Sequence, residues 1–368
     1  MRRRTFLGGL LAGLLAPRTA RSATDKLLVV YLARGGWDPS FVFDPHFGDG
    51  VENDPGSSVQ TAGGLSWAAA SSRPSVSSFL QQHSSRAAII NGLSVGSISH
   101  QMCTRLVFTA SRATDAPDFP TALGALSGSE LALPTVLLSG PRYPGSLGGA
   151  QVSLNPTLSS IGAETLNPDI EAFLRSEADR RGPEGHAVAL ERLSSFVENS
   201  SELAVNEGAG WATRLDAGLQ ALALGLSRCV VVQGTTPVLS SWDSHSDNRG
   251  NQDRCFENGF SELALISERL DALGLRDRAV VLALSEMGRT PRKNSSDGKD
   301  HWPYTSLMAW GSGVVAGMHG RTDTTLAALP IDDGLLTPAR LAGGLLERFD
   351  VDPAPLYGDA TPWRGLWS

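Results

Sequence analysis

Short runs of consecutive apolar residues recur along the chain, and each run ends in a polar or glycine-rich turn. Runs of this length are typical of strands that are buried on both faces of a sheet. We predict strands at residues 27–32, 87–91, 135–139, 229–233 and 279–284, with a weaker candidate at 306–310.

Segments with apolar residues spaced three and four apart lie between these runs and predict helices. The predicted helices cover residues 74–83, 170–180, 186–205, 211–226, 253–273 and 338–349. Strands that alternate with helices predict an α/β fold whose mostly parallel sheet is covered on both faces. Residues 44–73 and 290–303 are rich in Gly, Ser, Asp and Pro, which predicts long loops.

The first 23 residues have the pattern of a signal peptide. Arg2, Arg3 and Arg4 precede an apolar run that is too short to span a bilayer, and small residues follow at 20–23. The Arg-Arg-x-Phe-Leu order resembles the twin-arginine signal. We therefore expect a periplasmic or secreted protein that meets the twin-arginine export machinery, has no transmembrane anchor, and keeps residues 24–368 as one domain.

Composition excludes several other classes of protein. With 41% hydrophobic and 19% charged residues, the chain is globular rather than disordered. The formal net charge is -7 and no basic block lies outside the N-terminus, so nucleic acid is not an expected partner. Cys103, Cys229 and Cys255 form no CxxC pair, which excludes a disulfide framework and a cysteine-built zinc site.

Candidate chemistry collects just after the predicted strands, where an open α/β sheet binds its ligands. The residues there are Asp38, Ser99, His100, Asp243, His245, Glu286, Arg289, Asp300 and His301. Carboxylates and imidazoles in one place are the ligands of a two-metal hydrolytic site. Asp243 and His245 would project to the same side of an extended segment. Each residue also has an ordinary structural interpretation, and it is their coincidence at successive strand ends that favours a site.

A rival motif follows the second predicted strand. Gly92-Leu93-Ser94-Val95-Gly96 matches the GxSxG nucleophile elbow of serine hydrolases. Glycine and serine are so common in this chain that a match by chance is expected about once in two such sequences. A Ser-His-Asp esterase built on Ser94 therefore stays open as an alternative.

Taken in order, several segments resemble the DUF1501 family of exported proteins. They are the twin-arginine start, LLVVYLARGGWD at 27–38, Ser99-His100-Gln101, SWDSH at 241–245, SEMGRTP at 285–291 and Asp300-His301, against family patterns close to RGGxD, SHxxQ, GWDTH, SEFGRTP and DHG. The resemblance implies a relation to the alkaline phosphatase and sulfatase superfamily. It therefore implies an alkaline phosphatase-like three-layer α/β sandwich with a two-metal site at the strand ends.

The resemblance also implies roles for individual residues. The implied metal ligands are Asp38, Asp243, His245, Glu286 and His301, and Ser99 lies near the position of the nucleophile. From their chemistry we add Asp300 as a metal ligand, Arg289 as a catalytic residue, and Arg34 and His100 as substrate-binding residues. His100 and Asp300 have no clear counterpart in the superfamily. The Asp-His spacing at 243–245, Glu286 in place of an Asp and Arg289 in place of a His depart from the superfamily pattern, which leaves a degenerate or single-metal site open. No C/S-x-P-x-R pattern surrounds residue 99, which disfavours ordinary sulfatase chemistry.

These observations lead to an expected function. We expect an exported hydrolase of small-molecule or polymer phosphate or sulfate esters, which uses one or two divalent metal ions and either Ser99 or a metal-bound water as nucleophile. The alternative is a non-catalytic envelope or secretion-partner protein with a degraded metal site.

Overall fold

A central eight-stranded sheet organises the molecule in a computed structural model, which describes residues 26–48, 50–126, 131, 133–153 and 209–368 together with scattered positions between 174 and 194. The strands of the described residues are β1 (Leu27–Leu32), β2 (Ser57–Ala62), β3 (Leu65–Ala70), β4 (Ala87–Ser94), β5 (Thr135–Leu137), β6 (Gln151–Ser153), β7 (Cys229–Gln233), β8 (Ala279–Leu284), β9 (Gly288–Arg289), β10 (His301–Trp302), β11 (Tyr304–Gly311) and β12 (Gly317–His319). The order in the sheet is β12-β4-β11-β8-β1-β7-β5-β6. Only β11 runs antiparallel to its neighbours, so the described sheet is mostly parallel.

Helices cover both faces of this sheet. In the described residues they are α1 (Pro74–His83), α2 (His100–Thr109), α3 (Phe119–Leu126), α4 (Trp211–Ala223), α5 (Asn248–Ala272), α6 (Pro338–Arg348) and the short α7 (Ala354–Tyr357). Two further short strand pairs, β2 with β3 and β9 with β10, lie outside the main sheet.

Alternate residues of each central strand face opposite cores. Val29 and Tyr31 of β1 pack in one core with apolar side chains of α1, α4 and α5. Val30 and Leu32 pack in the other core with side chains of α2, α3 and α6. Both faces of β1 are fully buried, which explains why its sequence is a continuous apolar run rather than an alternating one. The predicted three-layer α/β sandwich is confirmed.

Most predicted elements are present with small changes of length. The strands at 27–32, 229–233 and 279–284 and the helix at 74–83 match their predicted bounds, while β4 and β11 are longer than predicted and β5 is shorter. Helix α5 begins at Asn248 rather than 253, because the Asp247 carboxylate accepts a hydrogen bond from Gly250 N and caps the helix there. The prediction of a loop at 44–73 is wrong in part, since β2 and β3 form a hairpin there.

Several other predictions have different outcomes. Helices α2 and α3 were not predicted from the pattern of apolar residues. The helices predicted at 170–180 and 186–205 lie largely outside the described residues, as does the N-terminal segment 1–23. Within the described part of the chain, no helix combines the length and the apolar character that crossing a membrane requires.

Candidate metal centre

Four segments meet where the parallel strands end. They are residues 34–38 after β1, 98–100 between β4 and α2, 241–245 between β7 and α5, and 285–301 after β8. Strands β1, β7 and β8 are neighbours and point the same way, so the segments that follow them emerge at one edge of the sheet. The polar side chains of these segments therefore meet, although they are far apart in sequence.

Three histidines and one aspartate have their side-chain tips close together, and we refer to His100, Asp243, His245 and His301 as the imidazole cluster. His245 Nε2 and His301 Nε2 are 2.9 Å apart, and each lies 3.2 Å from Asp243 Oδ1. His100 Nε2 lies 3.3 Å from Asp243 Oδ2. The ligand atoms of His100, Asp243 and His301 lie within 4.8 Å of one another, a spacing at which one metal ion can contact all three.

The other ring nitrogen of each histidine faces a hydrogen-bond acceptor. His100 Nδ1 is 2.8 Å from Glu286 Oε1, and His245 Nδ1 is 2.8 Å from Asp300 Oδ1. His301 Nδ1 is 2.7 Å from the carbonyl oxygen of Ile98. A carboxylate or carbonyl oxygen can only accept, so each Nδ1 carries the hydrogen. In the neutral rings, all three Nε2 atoms then present lone pairs toward the centre of the cluster.

This arrangement has an electrostatic consequence. Two Nε2 lone pairs that face each other at 2.9 Å, beside a carboxylate oxygen, repel unless a positive charge lies among them. A proton on one ring or a metal cation can supply that charge. Metal-binding histidines usually donate their second N–H to a carboxylate or a backbone carbonyl, which is the pattern at all three rings here. The residues therefore fit a divalent cation.

The pKa values of the cluster show the same preference for positive charge. The adjacent carboxylates of Asp243 and Glu286 raise the pKa of His100 to about 9, against the opposing effect of burial. Burial alone would raise the pKa of Asp243, but hydrogen bonds with His100 and Arg289 lower it well below its usual range. Hydrogen bonds from His245 and Asn294 also lower the pKa of Asp300. The acidic groups are thus anionic at neutral pH and attract a cation.

Glu286 and Asp300, predicted as metal ligands, lie behind histidines in the structure. Glu286 has no exposed surface, and its two carboxylate oxygens also accept from Gly35 N at 2.9 and 3.0 Å. This contact requires glycine, because a Cβ at Gly35, whose φ is +129°, would lie 2.8 Å from Trp242 Cβ. Asp300 is exposed and accepts from Asn294 Nδ2 as well as from His245. Both carboxylates orient rings of the cluster.

Asp38, predicted as a metal ligand, and Arg289, predicted as a catalytic residue, are both buried. Asp38 is fully buried and its carboxylate pairs with Lys299 Nζ at 2.8 Å. Arg289 is also fully buried, and its guanidinium donates to the carbonyl oxygens of Gly35, Gly36 and Lys299 and, at 2.7 Å, to Asp243 Oδ1. With its donors used in this way, Arg289 orients Asp243 and has no surface to offer a substrate.

Ser99, which directly precedes His100, and Arg34, which directly precedes Gly35, are by contrast exposed. Ser99 stands between Ile98, whose carbonyl accepts from His301, and His100, and it is the residue before the first turn of α2. Its hydroxyl makes no hydrogen bond within the described residues. Ser94 is the last residue of β4 and is paired with Tyr304 of β11. It therefore lies in a strand, rather than in the sharp strand-to-helix turn that a nucleophile elbow requires.

Sequence reasoning missed three contributions to this site. His100 was predicted to bind substrate, but its Nε2 points into the cluster beside Asp243. The carbonyl of Ile98 and the ammonium of Lys299 were not predicted at all. A backbone carbonyl has no sequence signal, and one lysine before Asp300 looks like any surface lysine.

Residues 215–361 match the model of a family described as "Protein of unknown function (DUF1501)". The predicted resemblance is thereby confirmed for the segment that carries Asp243, His245, Glu286 and His301. No curated protein matches the chain.

Several solved structures are similar to this chain at low identity. The lipoteichoic acid synthase LtaP from Listeria monocytogenes is 9% identical, with 92% of this chain and 74% of that chain covered and a TM-score of 0.43. The phosphonate monoester hydrolase SpPMH from Silicibacter pomeroyi is also 9% identical, with 92% and 76% covered and a TM-score of 0.42. An alkaline phosphatase superfamily protein from Vibrio parahaemolyticus is 8% identical, with 89% and 67% covered and a TM-score of 0.38. Similarity at this level of identity concerns the fold and says nothing about the activity of this chain.

Proposed function

We propose that this protein is a metal-dependent hydrolase of phosphate or sulfate esters. One observation carries the proposal: His245 Nε2 and His301 Nε2 face each other at 2.9 Å, while each Nδ1 is directed at an acceptor. His100, Asp243, His245 and His301 would hold the cation. Three imidazoles and one carboxylate suit zinc or a similar first-row ion better than magnesium or calcium, which prefer oxygen ligands.

When bound, such a cation polarises an ester oxygen and offsets the negative charge that develops during hydrolysis. The chain's own residues supply the remaining functions. Arg34 is exposed at the end of β1, and its guanidinium would pair with the oxygens of a phosphate or sulfate group. The Ser99 hydroxyl, or a water molecule at the same position, would attack phosphorus or sulfur. Glu286, Asp300 and Arg289 would keep His100, His245 and Asp243 in place.

Aryl esters with a chromogenic leaving group test the proposed reaction. We expect zinc-loaded protein to release the phenol from aryl phosphate or aryl sulfate, and a chelator to abolish that release. If the Ser99 hydroxyl is the attacking group, Ser99→Ala should lower the rate by about 1,000-fold or more with the cation still bound, whereas a nearly unchanged rate would assign the attack to water. Ser94→Ala is the matched control and should leave the rate within about threefold, because Ser94 lies in β4.

Other outcomes would replace the proposal. Cleavage of aryl acetate that survives chelation and depends on Ser94 would indicate a serine esterase. Zinc-loaded wild-type protein that cleaves no phosphate, sulfate or acetate ester would favour the non-catalytic envelope protein. Metal content, measured on the same samples, separates an inactive metal protein from one that binds no metal.

Export is a separate part of the proposal. We propose that residues 1–23 direct the folded chain to the twin-arginine route and that the mature protein begins at Thr24. Mass spectrometry of exported protein should find Thr24 at the N-terminus. Changing Arg3 and Arg4 together to Lys should leave folded protein in the cytoplasm. An exported protein that retains residues 1–23 would contradict the proposal.

A further inference from the structure

A second polar network lies behind the imidazole cluster, and we call Asp38, Lys299, Asn248 and Gln252 the inner network. All four residues are fully buried. Asp38 Oδ2 accepts from Lys299 Nζ at 2.8 Å and from Asn248 Nδ2 at 2.9 Å. Asp38 Oδ1 accepts from the backbone N and the hydroxyl of Ser40 at 3.1 and 2.7 Å. A carboxylate has about four acceptor positions, so this one has none left for a metal ion.

The inner network also connects the two segments that carry most of the imidazole cluster. Lys299 directly precedes Asp300 and His301, and its backbone N donates to Ser244 O at 3.0 Å. Gln252 Nε2 donates to Trp242 O and to Ser244 Oγ, both at 3.0 Å. Through these bonds, the segments 242–245 and 299–301 are both held against Asp38.

The positive charge of Lys299 disfavours binding of a metal cation at Asp38, in addition to any cation in the imidazole cluster. Lys299 brings one positive charge to Asp38 inside the protein, and Lys299 Nζ also donates to Ser40 Oγ at 3.0 Å. A divalent ion at Asp38 would have to displace this ammonium, whose side chain has no exposed surface. Removing one partner from a buried ion pair is strongly unfavourable, so the pair is a permanent part of the fold.

We propose that Asp38 and Lys299 are positioning residues, and that the protein binds one divalent cation, in the imidazole cluster. The inference rests on the proposed metal site but not on the proposed reaction. Asp38 acts by fixing the separation of Asp243, His245 and His301, and it does not contact the cation.

Metal stoichiometry and affinity test this inference without reference to catalysis. Zinc would be titrated into chelator-treated full-length mature protein in competition with a chromogenic chelator. We expect one zinc ion per wild-type chain. In the double variant Asp38→Asn with Lys299→Met, which removes both charges, we expect one ion bound about 10- to 100-fold more weakly, as for other residues that orient metal ligands.

A second buried ion pair provides the matched control. The side chains of Asp54 and Arg73 have no exposed surface and are 2.9 Å apart, with Arg249 also paired to Asp54 and Asp253 to Arg73, and neither Asp54 nor Arg73 bonds to segments 242–245 or 299–301 within the described residues. Asp54→Asn with Arg73→Met should destabilise the fold to a similar degree but leave zinc affinity within about threefold of wild type. If the Asp38 and Lys299 variant does not fold, Asn248→Ala replaces it and should weaken zinc binding by about tenfold.

The possible failures are distinguishable. Two zinc ions per wild-type chain, with one lost in the Asp38 and Lys299 variant, would show that Asp38 is a ligand and would overturn the inference while keeping a metal enzyme. Equal zinc affinity in that variant and in the control would reduce the inner network to a purely structural role. A wild-type chain that binds no zinc would overturn both this inference and the proposed function.

Discussion

The imidazole cluster and the inner network contain similar residue types at the same edge of the sheet, yet they differ in how their charges are satisfied. In the imidazole cluster, side chains are 20% to 47% exposed and Nε2 atoms face one another. In the inner network, Asp38 and Lys299 are fully buried and each polar group has a partner. Each region thus pairs a carboxylate with a cationic side chain, Arg289 at Asp243 and Lys299 at Asp38, but only the cluster also has ring nitrogens that face one another and are open to solvent.

This difference shows what separates a binding site from a structural network. A carboxylate in either place is a suitable ligand, but burial makes an uncompensated charge so unfavourable that the protein supplies its own counter-charge there. In the cluster, Arg289 supplies one counter-charge to Asp243, and solvent access leaves the facing ring nitrogens open to a further cation. The comparison predicts that the two regions respond in opposite ways to substitution: the network loses stability, and the cluster loses cation affinity.

The largest expected effect is on the stability of the inner network. Lys299→Met should lower the free energy of unfolding by about 3 to 5 kcal/mol, because it leaves the buried Asp38 carboxylate without its cation. Lys293→Met is the control: Lys293 pairs with Asp297 at the surface, so we expect a change below about 0.5 kcal/mol. Urea denaturation measures both. A loss below about 1 kcal/mol for Lys299→Met would contradict the account of a closed network.

The imidazole cluster should show the reverse pattern. His301→Ala should weaken zinc binding by about 100-fold or more, because the ion loses a ligand. Without zinc, the unfolding free energy should change by less than about 1 kcal/mol, because the substitution also removes the repulsion between facing Nε2 atoms. His319→Ala is the control, since His319 Nε2 contacts the Val315 carbonyl outside the cluster. A large loss of stability with unchanged zinc affinity would show that His301 stabilises the fold and is not a metal ligand.

A smaller effect is expected at the boundary of the cluster. Asp300→Ala should weaken zinc binding by about 10-fold, because His245 loses the acceptor that fixes its ring. Asp300→Asn should retain part of this affinity, since the amide oxygen can still accept from Nδ1. Competition with a chelator measures the three affinities. If Asp300→Ala abolishes zinc binding altogether, Asp300 is itself a ligand.

The smallest effect concerns a buried histidine outside both regions. Burial, and then the charge of Arg86, lower the pKa of His83 to about 4. The unfolded chain therefore takes up this proton near pH 6.5, before the folded protein does, so stability falls as the pH drops from 6.5 to 4 and is unaffected above 6.5. We expect the free energy of unfolding to fall by at most about 1.4 kcal/mol per pH unit from this residue over that interval.

Substitution isolates the His83 contribution. In His83→Gln, the pH dependence of the urea unfolding free energy between 6.5 and 4 should be smaller than in wild type. Zinc affinity at neutral pH should be the same in both proteins, because His83 packs against Phe79 and Trp310 in the core. An identical pH dependence in the two proteins would show that His83 does not take part.

The fold was predictable where burial leaves a clear pattern. The apolar runs of β1, β7 and β8 are buried on both faces, and their predicted bounds were correct. The hairpin strand β2 is mostly exposed and polar, so its sequence resembles a loop. Helix α3 is buried along most of its length, which removes the three-four spacing that identifies a surface helix.

The sequence predicted where the candidate site lies, but not that its residues fall into two groups, the imidazole cluster and the inner network. The strand-end rule placed Asp38, His100, Asp243 and His301 at one edge of the sheet, where the structure has them. The sequence cannot show how far each side chain lies from solvent, because that depends on packing between distant segments. It therefore could not separate Asp38, which is neutralised by Lys299, from Asp243, which faces three histidines.

Anomalous scattering at the zinc edge, from crystals of zinc-loaded protein, tests the central claim most directly. We expect one peak per chain, about 2.0 to 2.2 Å from the Nε2 atoms of the cluster histidines and from an Asp243 oxygen. We expect no peak at Asp38. A peak bonded to Asp38, or crystals in which the imidazole cluster has no peak at saturating zinc, would contradict the account.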